Sequence, residues 1–252
     1  MKIRSIGVDG DGILTNLDLF QYALGLEKLY GIKLLDGVYS LKFNRLEELI
    51  YYFEEEYYRI YGVKPNMKEI IKDPKSYNLR DIFGISKLKE YKIGTIPFLK
   101  YCRSYQFRKN ASRVMNFWHD DGRKIHLITA RKYIDDKSPE MIRDFVRRGF
   151  DNLLFEADIP YDSIRYCPEK GSPQAKLAAC EELGVQLINE DKVDNIELLR
   201  RHLFVVSFLA TYNQDCVGDN LFTVDNDFVG ADEVIRMIES DAHPVILKKT
   251  LT

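Results

Sequence analysis

The chain has 252 residues, of which 45% are hydrophobic and 30% are charged. This balance is typical of a globular protein and excludes a disordered or fibrous chain. The 37 Lys and Arg residues against 39 Asp and Glu residues give a formal net charge of -2, so no basic surface for a nucleic-acid polymer is expected. Any anionic partner should therefore be small and held by local charges.

The four cysteines are far apart and form no CxxC pair, which argues against a zinc site and against a disulfide framework. The apolar run at 3–8 is too short for a signal peptide, and no later segment reaches the roughly 20 apolar residues of a membrane span. We therefore expect a cytoplasmic protein with no membrane contact. The sequence makes no prediction of the oligomeric state.

The first predicted element is a short buried strand at 3–8, which stops at an Asp-Gly-Asp-Gly run, residues 9–12. From about 18 to 110 the chain changes to long charged and aromatic stretches in which apolar residues recur at helical spacing. This segment is predicted to be a mostly helical insertion.

Strand and helix alternate after the insertion, which predicts right-handed βαβ units and a parallel sheet covered on both faces. The fold class is therefore α/β. The predicted helices are 111–120, 139–148, 174–183, 195–202 and one that ends near 239, and the predicted strands are 124–128, 163–166, 185–189, 203–209 and one that begins near 221.

Polar clusters follow three of the predicted strands. They are the run at 9–12, Thr129-Ala130-Arg131, and Glu190-Asp191. Ligands of open parallel sheets bind beyond the carboxyl ends of the strands. We therefore expect the three clusters to form one site.

The Asp-Gly-Asp-Gly run admits several interpretations. Its glycines permit a sharp turn that brings Asp9 and Asp11 to one ligand, although a solvated turn fits equally well. An EF-hand calcium loop is excluded because hydrophobic residues stand at 13, 14 and 20, where a ligand, a glycine and a glutamate are needed. A GxGxxG dinucleotide loop is excluded because Thr15 stands where the third glycine belongs.

Two carboxylates beside an anionic ligand require a cation between them, and hard oxygen donors of this kind suit octahedral Mg2+. Glu190 and Asp191 can supply further oxygen ligands. The alternative role for this cluster is an N-terminal cap on the next helix, and Asp194 fits that role best.

Thr129 ends an apolar strand, where its hydroxyl and nearby amides can hold a phosphoryl oxygen, although simple β-propensity also explains a threonine there. Lys176, on the helix before the Glu-Asp strand, can neutralise a phosphoryl group. Lys170 is a rival for that role, and a solvated surface explains a single lysine equally well.

In this order, the motifs resemble those of the haloacid dehalogenase (HAD) superfamily of phosphohydrolases. The matching stretches lie within 3–200 and are 6–12, 126–131, Lys176 and 187–191. The Ile-Thr-Ala-Arg phrase at 128–131 and the Glu-Leu-Gly-Val phrase at 182–185 look most like the 5'(3')-deoxyribonucleotidase-like branch. The resemblance implies a Rossmann-like core, 1–17 and 111–252, with a helical cap at 18–110.

The resemblance also implies a function, which is Mg2+-dependent hydrolysis of a phosphomonoester through an aspartyl-phosphate. Asp9 would be the nucleophile, and Asp11 would act first as acid and then as base. Thr129 and Lys176 would bind the phosphoryl oxygens. The implied Mg2+ ligands are the Asp9 carboxylate, the Asp11 backbone carbonyl and Asp191, with Glu190 or Asp194 acting through water.

The chain departs from the common family pattern at two places. Ile13 stands where the usual DxDGT motif has its threonine, and the acidic pair is Glu-Asp instead of Asp-Asp or Gly-Asp. Because the family that the chain resembles includes phosphatases with an aliphatic residue at the first place, hydrolysis stays the expected reaction. The second departure leaves the ligand assignment between Glu190 and Asp191 open.

The substrate is predicted less directly. Twelve of the 16 tyrosines fall within 18–110, and their rings can stack on a nucleobase or pack cap helices together. We expect a small phosphorylated substrate, with a nucleoside monophosphate favoured over a sugar phosphate. Phosphoryl transfer to an acceptor other than water, and a non-hydrolytic binding module with the same fold, are the alternatives.

Overall fold

The computed structural model describes residues 1–36, 41–76, 78–101, 107–131, 133–134, 138–225 and 227–240, and for 95–101 it describes the backbone alone. Within this part of the chain, six strands form one sheet in which all neighbouring strands are parallel. The strands are β1 (Ser5–Val8), β2 (Lys124–Thr129), β3 (Ser163–Tyr166), β4 (Leu187–Asn189), β5 (Phe204–Phe208) and β6 (Leu221–Val224).

Helices precede and follow these strands in the described residues. Among these residues, no helix combines the length and the apolar composition needed to cross a bilayer. The helices are α1 (Leu17–Tyr30), α2 (Leu46–Tyr61), α3 (Met67–Ile70), α4 (Leu79–Phe83), α5 (Lys87–Tyr101), α6 (Ala111–Asp120), α7 (Glu140–Glu156), α8 (Ser172–Glu182), α9 (Val193–Leu199) and α10 (Phe228–Glu239).

The strand order β3-β2-β1-β4-β5-β6 places β1 in the middle of the sheet. The chain first adds β2 and β3 on one side of β1 and then adds β4, β5 and β6 on the other side. Val8 pairs in register with Leu127 of β2 and with Asn189 of β4, so the carboxyl ends of the three strands lie at one edge. A crevice forms at such a reversal of strand order, and the residues after these strands line it.

The two faces of the sheet bury separate sets of apolar side chains because successive residues of a strand point to opposite faces. Ile128 and Ile188 belong to a cluster with residues of α8 and α9. Their neighbours Leu127 and Leu187 belong to the larger cluster, which also contains residues of α6, α7 and α10. The α/β fold with helices on both faces, predicted from the alternating pattern, is confirmed.

The predicted and observed element boundaries differ most at α7, which continues to Glu156 instead of ending at 148 as predicted. Gly149 does not interrupt the helix because the buried face goes on through Phe150, Leu153 and Leu154. The gain from burying these side chains outweighs the roughly 1 kcal/mol that a glycine costs inside a helix.

The described part of the insertion after β1 contains the five helices α1 to α5 joined by irregular segments, and α1 packs against α2, α4 and α5. Its aromatic residues contact one another: Tyr30 meets both Phe53 and Tyr57, and the ring of Tyr57 lies 4.5 Å from that of Tyr61. These tyrosines therefore pack α1 against α2. The division into a core and a separate cap stays a prediction.

The close contact between α1 and α4 depends on Gly25. An added Cβ at Gly25 would lie 2.0 Å from Cε2 of Phe83, whereas one at Gly94 of α5 would lie 3.4 Å from its nearest neighbour, Leu79 Cδ1. We expect Gly25→Ala to lower the free energy of unfolding by about 1–3 kcal/mol through overpacking. Gly94→Ala should be neutral or stabilise by up to about 1 kcal/mol, because alanine favours helix. Urea denaturation measures both, and equal effects would contradict the packing argument.

Candidate active site

The Asp-Gly-Asp-Gly run directly follows β1 and is held close to the neighbouring strands. Asp9 N donates a hydrogen bond to Asn189 O at 3.1 Å, which continues the pairing of β1 with β4. A Cβ on Gly10 would lie 2.9 Å from Thr129 Oγ1, and a Cβ on Gly12 would lie 1.9 Å from Asp191 Oδ2. Gly12 also has a φ of +84°, which favours glycine. The glycines therefore let the three strand ends approach closely.

Lys176 joins the first and third polar clusters. It lies on α8, is 1% exposed, and places Nζ 2.7 Å from Asp9 Oδ2 and 2.6 Å from Glu190 Oε2. Both carboxylates are buried as well. The ammonium group thus forms two charge-assisted contacts in an environment from which water is largely excluded.

Glu190 is fully engaged within the protein. Its Oε2 accepts from Lys176, and its Oε1 accepts from the backbone N–H groups of Asp191 and Lys192 at 3.1 and 3.0 Å. Both carboxylate oxygens are therefore occupied by donors. With both oxygens occupied, Glu190 is better suited to anchoring Lys176 than to offering an oxygen to a metal.

Asp191 is held by the loop that follows β5. Tyr212 donates its hydroxyl hydrogen to Asp191 Oδ2, and Asn213 Nδ2 donates to the backbone carbonyl of Asp191 at 3.0 Å. The same Asn213 amide group also donates to Phe208 O at 2.9 Å. These contacts fix Asp191 beside Gly12, and they come from a loop with no recognisable motif.

Asp11 forms a two-point ion pair with Arg131. Arg131 Nε lies 3.0 Å from Asp11 Oδ2, and Arg131 Nη2 lies 2.6 Å from Asp11 Oδ1. Arg131 is 1% exposed, and its guanidinium carbon lies 3.9 Å from the ring centroid of Phe150. The Asp11 carboxylate is thus directed to Arg131, and it does not belong to the group of three carboxylates formed by Asp9, Glu190 and Asp191.

The hydroxyl of Thr129 points to a role in ligand binding. Thr129 is completely buried, and its Oγ1 has no hydrogen-bond partner among the described residues. An unsatisfied buried hydroxyl costs free energy, so such a group is commonly explained by a ligand or water. A phosphoryl oxygen would satisfy it.

The two alternatives from the sequence, Lys170 and Asp194, differ from the cluster in being exposed. Lys170 is exposed, and no ion pair of its ammonium group occurs in the described structure. Asp194 is also exposed. The alternative role of Asp194 as the cap of the next helix is not observed, because α9 begins at Val193 and its N-cap residue is Lys192. Helix formation two residues earlier places Asp194 in the first turn, where its charge still favours the helix dipole.

Burial shifts the acid–base properties of these groups in different directions. It raises the pKa of Asp9 to about 7 even though Lys176 acts to lower it. Burial and the nearby Glu190 also hold the pKa of Asp191 well above its ordinary value. For Glu190, burial is outweighed by Lys176, which lowers its pKa. Burial likewise acts against the charge of Lys176, but Asp9 and Glu190 raise its pKa.

The charges of the described site leave room for a divalent cation. When all four are ionised, the buried carboxylates of Asp9, Asp11, Glu190 and Asp191 exceed the buried cations Lys176 and Arg131 by two charges, because the third buried cation near the loop, Arg108, is paired with Asp18. Oxygens of Asp9, Glu190 and Asp191 lie within 4.8 Å of one another. Carboxylate oxygens at such spacing are the donors that Mg2+ takes together with water and phosphate oxygens. The residues present therefore fit the implied metal.

Arg131 was expected at the site as part of the Thr129-Ala130-Arg131 cluster, but its pairing with Asp11 was not predicted from the sequence. Tyr212 had no signal, because it lies in a loop after a different strand and reaches Asp191 only through the fold.

No protein-family model matches the chain. A search of the curated proteins gives no match either. Among solved structures, the chain is similar to a hydrolase from Streptococcus pneumoniae TIGR4, with 16% identity and a TM-score of 0.44 over 94% of this chain and 100% of that one.

Two further solved structures are similar to the chain. CbbY from Rhodobacter sphaeroides, in complex with phosphate, has 16% identity and a TM-score of 0.45 over 91% of this chain and 99% of that one. A Had-superfamily hydrolase from Ehrlichia chaffeensis has 12% identity and a TM-score of 0.44 over 94% and 99%. Because these TM-scores lie below 0.5, the function has to be argued from the residues of this chain.

The role of Lys176 in holding the site together can be tested by stability. Lys176→Met would leave Asp9 and Glu190 buried without their counter-charge, so we expect the metal-free protein to lose about 3 kcal/mol. Lys170→Met removes an exposed lysine from the same region and should change stability by less than about 0.5 kcal/mol. Guanidinium denaturation in EDTA measures both. Equal losses would show that the buried ion pairs do not stabilise the fold.

The raised pKa of Asp9 predicts a pH-dependent metal effect. Folded Asp9 keeps its proton up to about pH 7, whereas the unfolded chain loses it near pH 4. Stability of the metal-free protein should therefore fall as pH rises through this interval.

Mg2+ should restore the lost stability mainly near pH 7, because protons compete with Mg2+ for the carboxylate at lower pH. We expect a rise in the unfolding temperature of several degrees at pH 7.5 and a much smaller one at pH 5.5, measured with EDTA or Mg2+. At 100 times its Kd, Mg2+ would stabilise by about 2.7 kcal/mol. In Asp9→Asn, the Mg2+-induced rise in unfolding temperature should differ less between pH 7.5 and pH 5.5. A Mg2+ effect of the same size at both would contradict the prediction.

Proposed function

We propose that the protein is a Mg2+-dependent phosphatase that hydrolyses a small phosphomonoester through an aspartyl-phosphate. The observation that carries this proposal is the position of Asp9, a buried carboxylate held by Lys176 at the carboxyl end of the central strand. The unsatisfied Thr129 hydroxyl lies beside the adjoining Gly10. A nucleophile, a cation and a hydrogen-bond donor therefore converge where an open parallel sheet binds its ligand.

The first half of the reaction transfers the phosphoryl group to the protein. An Asp9 carboxylate oxygen attacks phosphorus, and the bond from phosphorus to the leaving oxygen breaks with its electron pair. Lys176 and Thr129 bind the other phosphoryl oxygens, whose charge they stabilise in the transition state. Asp11 in its protonated form gives its proton to the leaving oxygen, and it regains a proton from the attacking water in the second half.

The second half releases phosphate. Water attacks the phosphorus of the aspartyl-phosphate while Asp11 takes a proton from that water. The bond between phosphorus and Asp9 then breaks and regenerates the Asp9 carboxylate. The two displacements require one carboxylate as the nucleophile and one as the proton donor and acceptor, and we assign these roles to Asp9 and Asp11.

We propose that Mg2+ is held by the carboxylates of Asp9 and Asp191 and by the Asp11 backbone carbonyl. When bound, it would supply positive charge to the phosphoryl oxygens. Glu190 is proposed to act on the metal site indirectly, because its oxygens are already occupied by Lys176 and by backbone donors.

A polar cavity of about 590 Å³ lies next to this site, between the starts of α1 and α2 and the loops after β5 and β6. Asp18, in its wall, is joined to Gly12 through Arg108, which donates to Gly12 O and Asp18 Oδ1. Thr211, in the opposite wall, precedes the Tyr212 that binds Asp191. We propose that this cavity receives the leaving group.

The lining of the cavity bears on the substrate class. Among the described residues, its aromatic lining is Tyr22 alone, and the remaining side chains are mostly charged or polar. A nucleoside monophosphate stays the candidate from the sequence phrases, but the ring of Tyr22 is buried and packs against Phe83, so it offers a base no open face. The polar lining favours the second candidate, a sugar phosphate, because hydroxyl groups would find hydrogen-bond partners there.

The nucleophile is tested with p-nitrophenyl phosphate. We expect Mg2+-dependent release of nitrophenolate by the wild-type protein and a loss of at least about 1,000-fold in Asp9→Asn, because the amide cannot form the intermediate. Asp120→Asn changes an exposed carboxylate at the end of α6 and should keep wild-type turnover. Normal turnover by Asp9→Asn would remove Asp9 as the nucleophile.

The same assay separates the alternatives. A panel of nucleoside monophosphates and sugar phosphates ranks the two substrate classes by kcat/KM. Added alcohols would yield phosphorylated alcohol if the phosphoryl group passes to an acceptor other than water. A binding module would release no phosphate from any of them but would still be stabilised by inorganic phosphate with Mg2+.

A further inference from the structure

Arg131 is a buried cation for which the proposed reaction has no direct use. It does not contact Asp9 in the hydrogen bonds described above, and its side chain is 0% exposed. Its guanidinium group instead engages both oxygens of Asp11, at 3.0 and 2.6 Å. A planar guanidinium that binds a carboxylate at two points sets the orientation of that carboxylate as well as its location.

The guanidinium group is itself held in place. Its carbon lies 3.9 Å from the ring centroid of Phe150, a fully buried residue of α7. The same ring would lie 3.2 Å from a Cβ on Gly10, so Phe150 packs under both the Asp-Gly-Asp-Gly loop and Arg131. A rigid support of this kind lets the ion pair transmit a fixed geometry to Asp11.

Asp11 has a particular need for such support. Its buried carboxylate follows Asp9 by two residues in the same loop, so an ionised Asp9 repels it. Its other side-chain contact in the described structure is a 3.4 Å hydrogen bond from Thr15 Oγ1. The two contacts from Arg131 are shorter and charge-assisted, and they outweigh this bond.

We propose that Arg131 is the positioning residue for Asp11, acting through it on the water-activating half of the reaction and touching none of the reacting atoms. This inference rests on the proposed function, because it assigns the role of Asp11 in that reaction. It goes beyond that function in naming a residue that decides how fast the aspartyl-phosphate is hydrolysed.

p-Nitrophenyl phosphate separates the two halves of the reaction. Nitrophenolate is a good leaving group and departs with its electron pair without needing a proton, so formation of the aspartyl-phosphate from this substrate does not depend on Asp11. Hydrolysis of the intermediate does depend on Asp11, because the attacking water must lose a proton as its oxygen bonds to phosphorus. A defect in Asp11 placement should therefore slow only the second half.

Stopped-flow measurement of nitrophenolate in Mg2+ is the test. For Arg131→Met, we expect the burst to form at close to the wild-type rate. Steady-state turnover should fall by about 10- to 100-fold, which is part of the roughly 100- to 10,000-fold that general acid–base catalysis contributes. The burst should approach one nitrophenolate per protein molecule. Arg131→Lys keeps the charge with a different donor geometry and should lie between Arg131→Met and the wild type.

Arg123→Met is the matched structural control. Arg123 is also a buried arginine that binds a carboxylate at two points, with Nη1 2.6 Å and Nη2 3.2 Å from the oxygens of Glu239. It lies before β2, at the opposite end of the strand from Arg131. Its loss should lower stability without changing the ratio of the burst rate to the steady-state rate.

A double variant guards against a folding defect. Asp11→Asn combined with Arg131→Met removes both partners of the buried pair, which leaves no uncompensated charge. If Arg131 acts through Asp11, the steady-state rate of the double variant should equal that of Asp11→Asn alone. A further loss in the double variant would overturn the proposal.

Two other results would also overturn it. A parallel fall of burst and steady state in Arg131→Met, as in a merely structural defect, would remove the positioning role while leaving the phosphatase function intact. No Mg2+-dependent nitrophenolate release by the wild-type protein would instead overturn the proposed function, and the role of Arg131 with it. The two failures are therefore distinguishable from the wild-type measurement alone.

Discussion

The ammonium group of Lys176 lies between Asp9 and Glu190, and this three-membered contact determines how the rest of the site is arranged. A lysine buried to 1% exposure is tolerated because two carboxylates lie within 2.7 Å of it. The reverse is also true, since the two carboxylates are buried beside Asp191 and would repel one another without the lysine. The contact joins β1, α8 and the end of β4, so the elements on both sides of the central crevice depend on it.

Close approach of the strand ends is the second constraint. Gly10 and Gly12 leave no side chain between the loop after β1 and its neighbours, and a Cβ at either position would lie within 2.9 Å of Thr129 or Asp191. The Asp-Gly-Asp-Gly alternation therefore has two physical meanings. The aspartates provide the charge, and the glycines let that charge come near the residues of two other strands. The remaining negative charge is what makes a divalent cation fit.

Much of the fold followed from patterns that are local in the chain. Short apolar runs alternating with amphipathic segments predicted the parallel sheet, because both faces of such strands are buried and each crossover needs a helix. The polar clusters after β1, β2 and β4 could be assigned to one edge for the same reason. The end of α7 does not follow from such a local pattern, because burial of the residues after Gly149 decides that the helix continues.

By itself, the sequence determined the α/β class and predicted Asp9, Asp11, Thr129, Glu190 and Asp191 as neighbours, since parallel strands bring their carboxyl ends together. Lys176, which lies on a helix, was chosen over Lys170 only through the family resemblance. Only the tertiary structure decided which of these residues contact one another. Asp11 turns to Arg131, Glu190 is occupied by Lys176, and Tyr212 reaches Asp191. Such partners are chosen by side-chain directions and by distances of a few ångströms between segments far apart in the chain, and neither is encoded in a local pattern. The tyrosines show the same division, because their number was visible in the sequence but their packing between α1 and α2 depended on the fold.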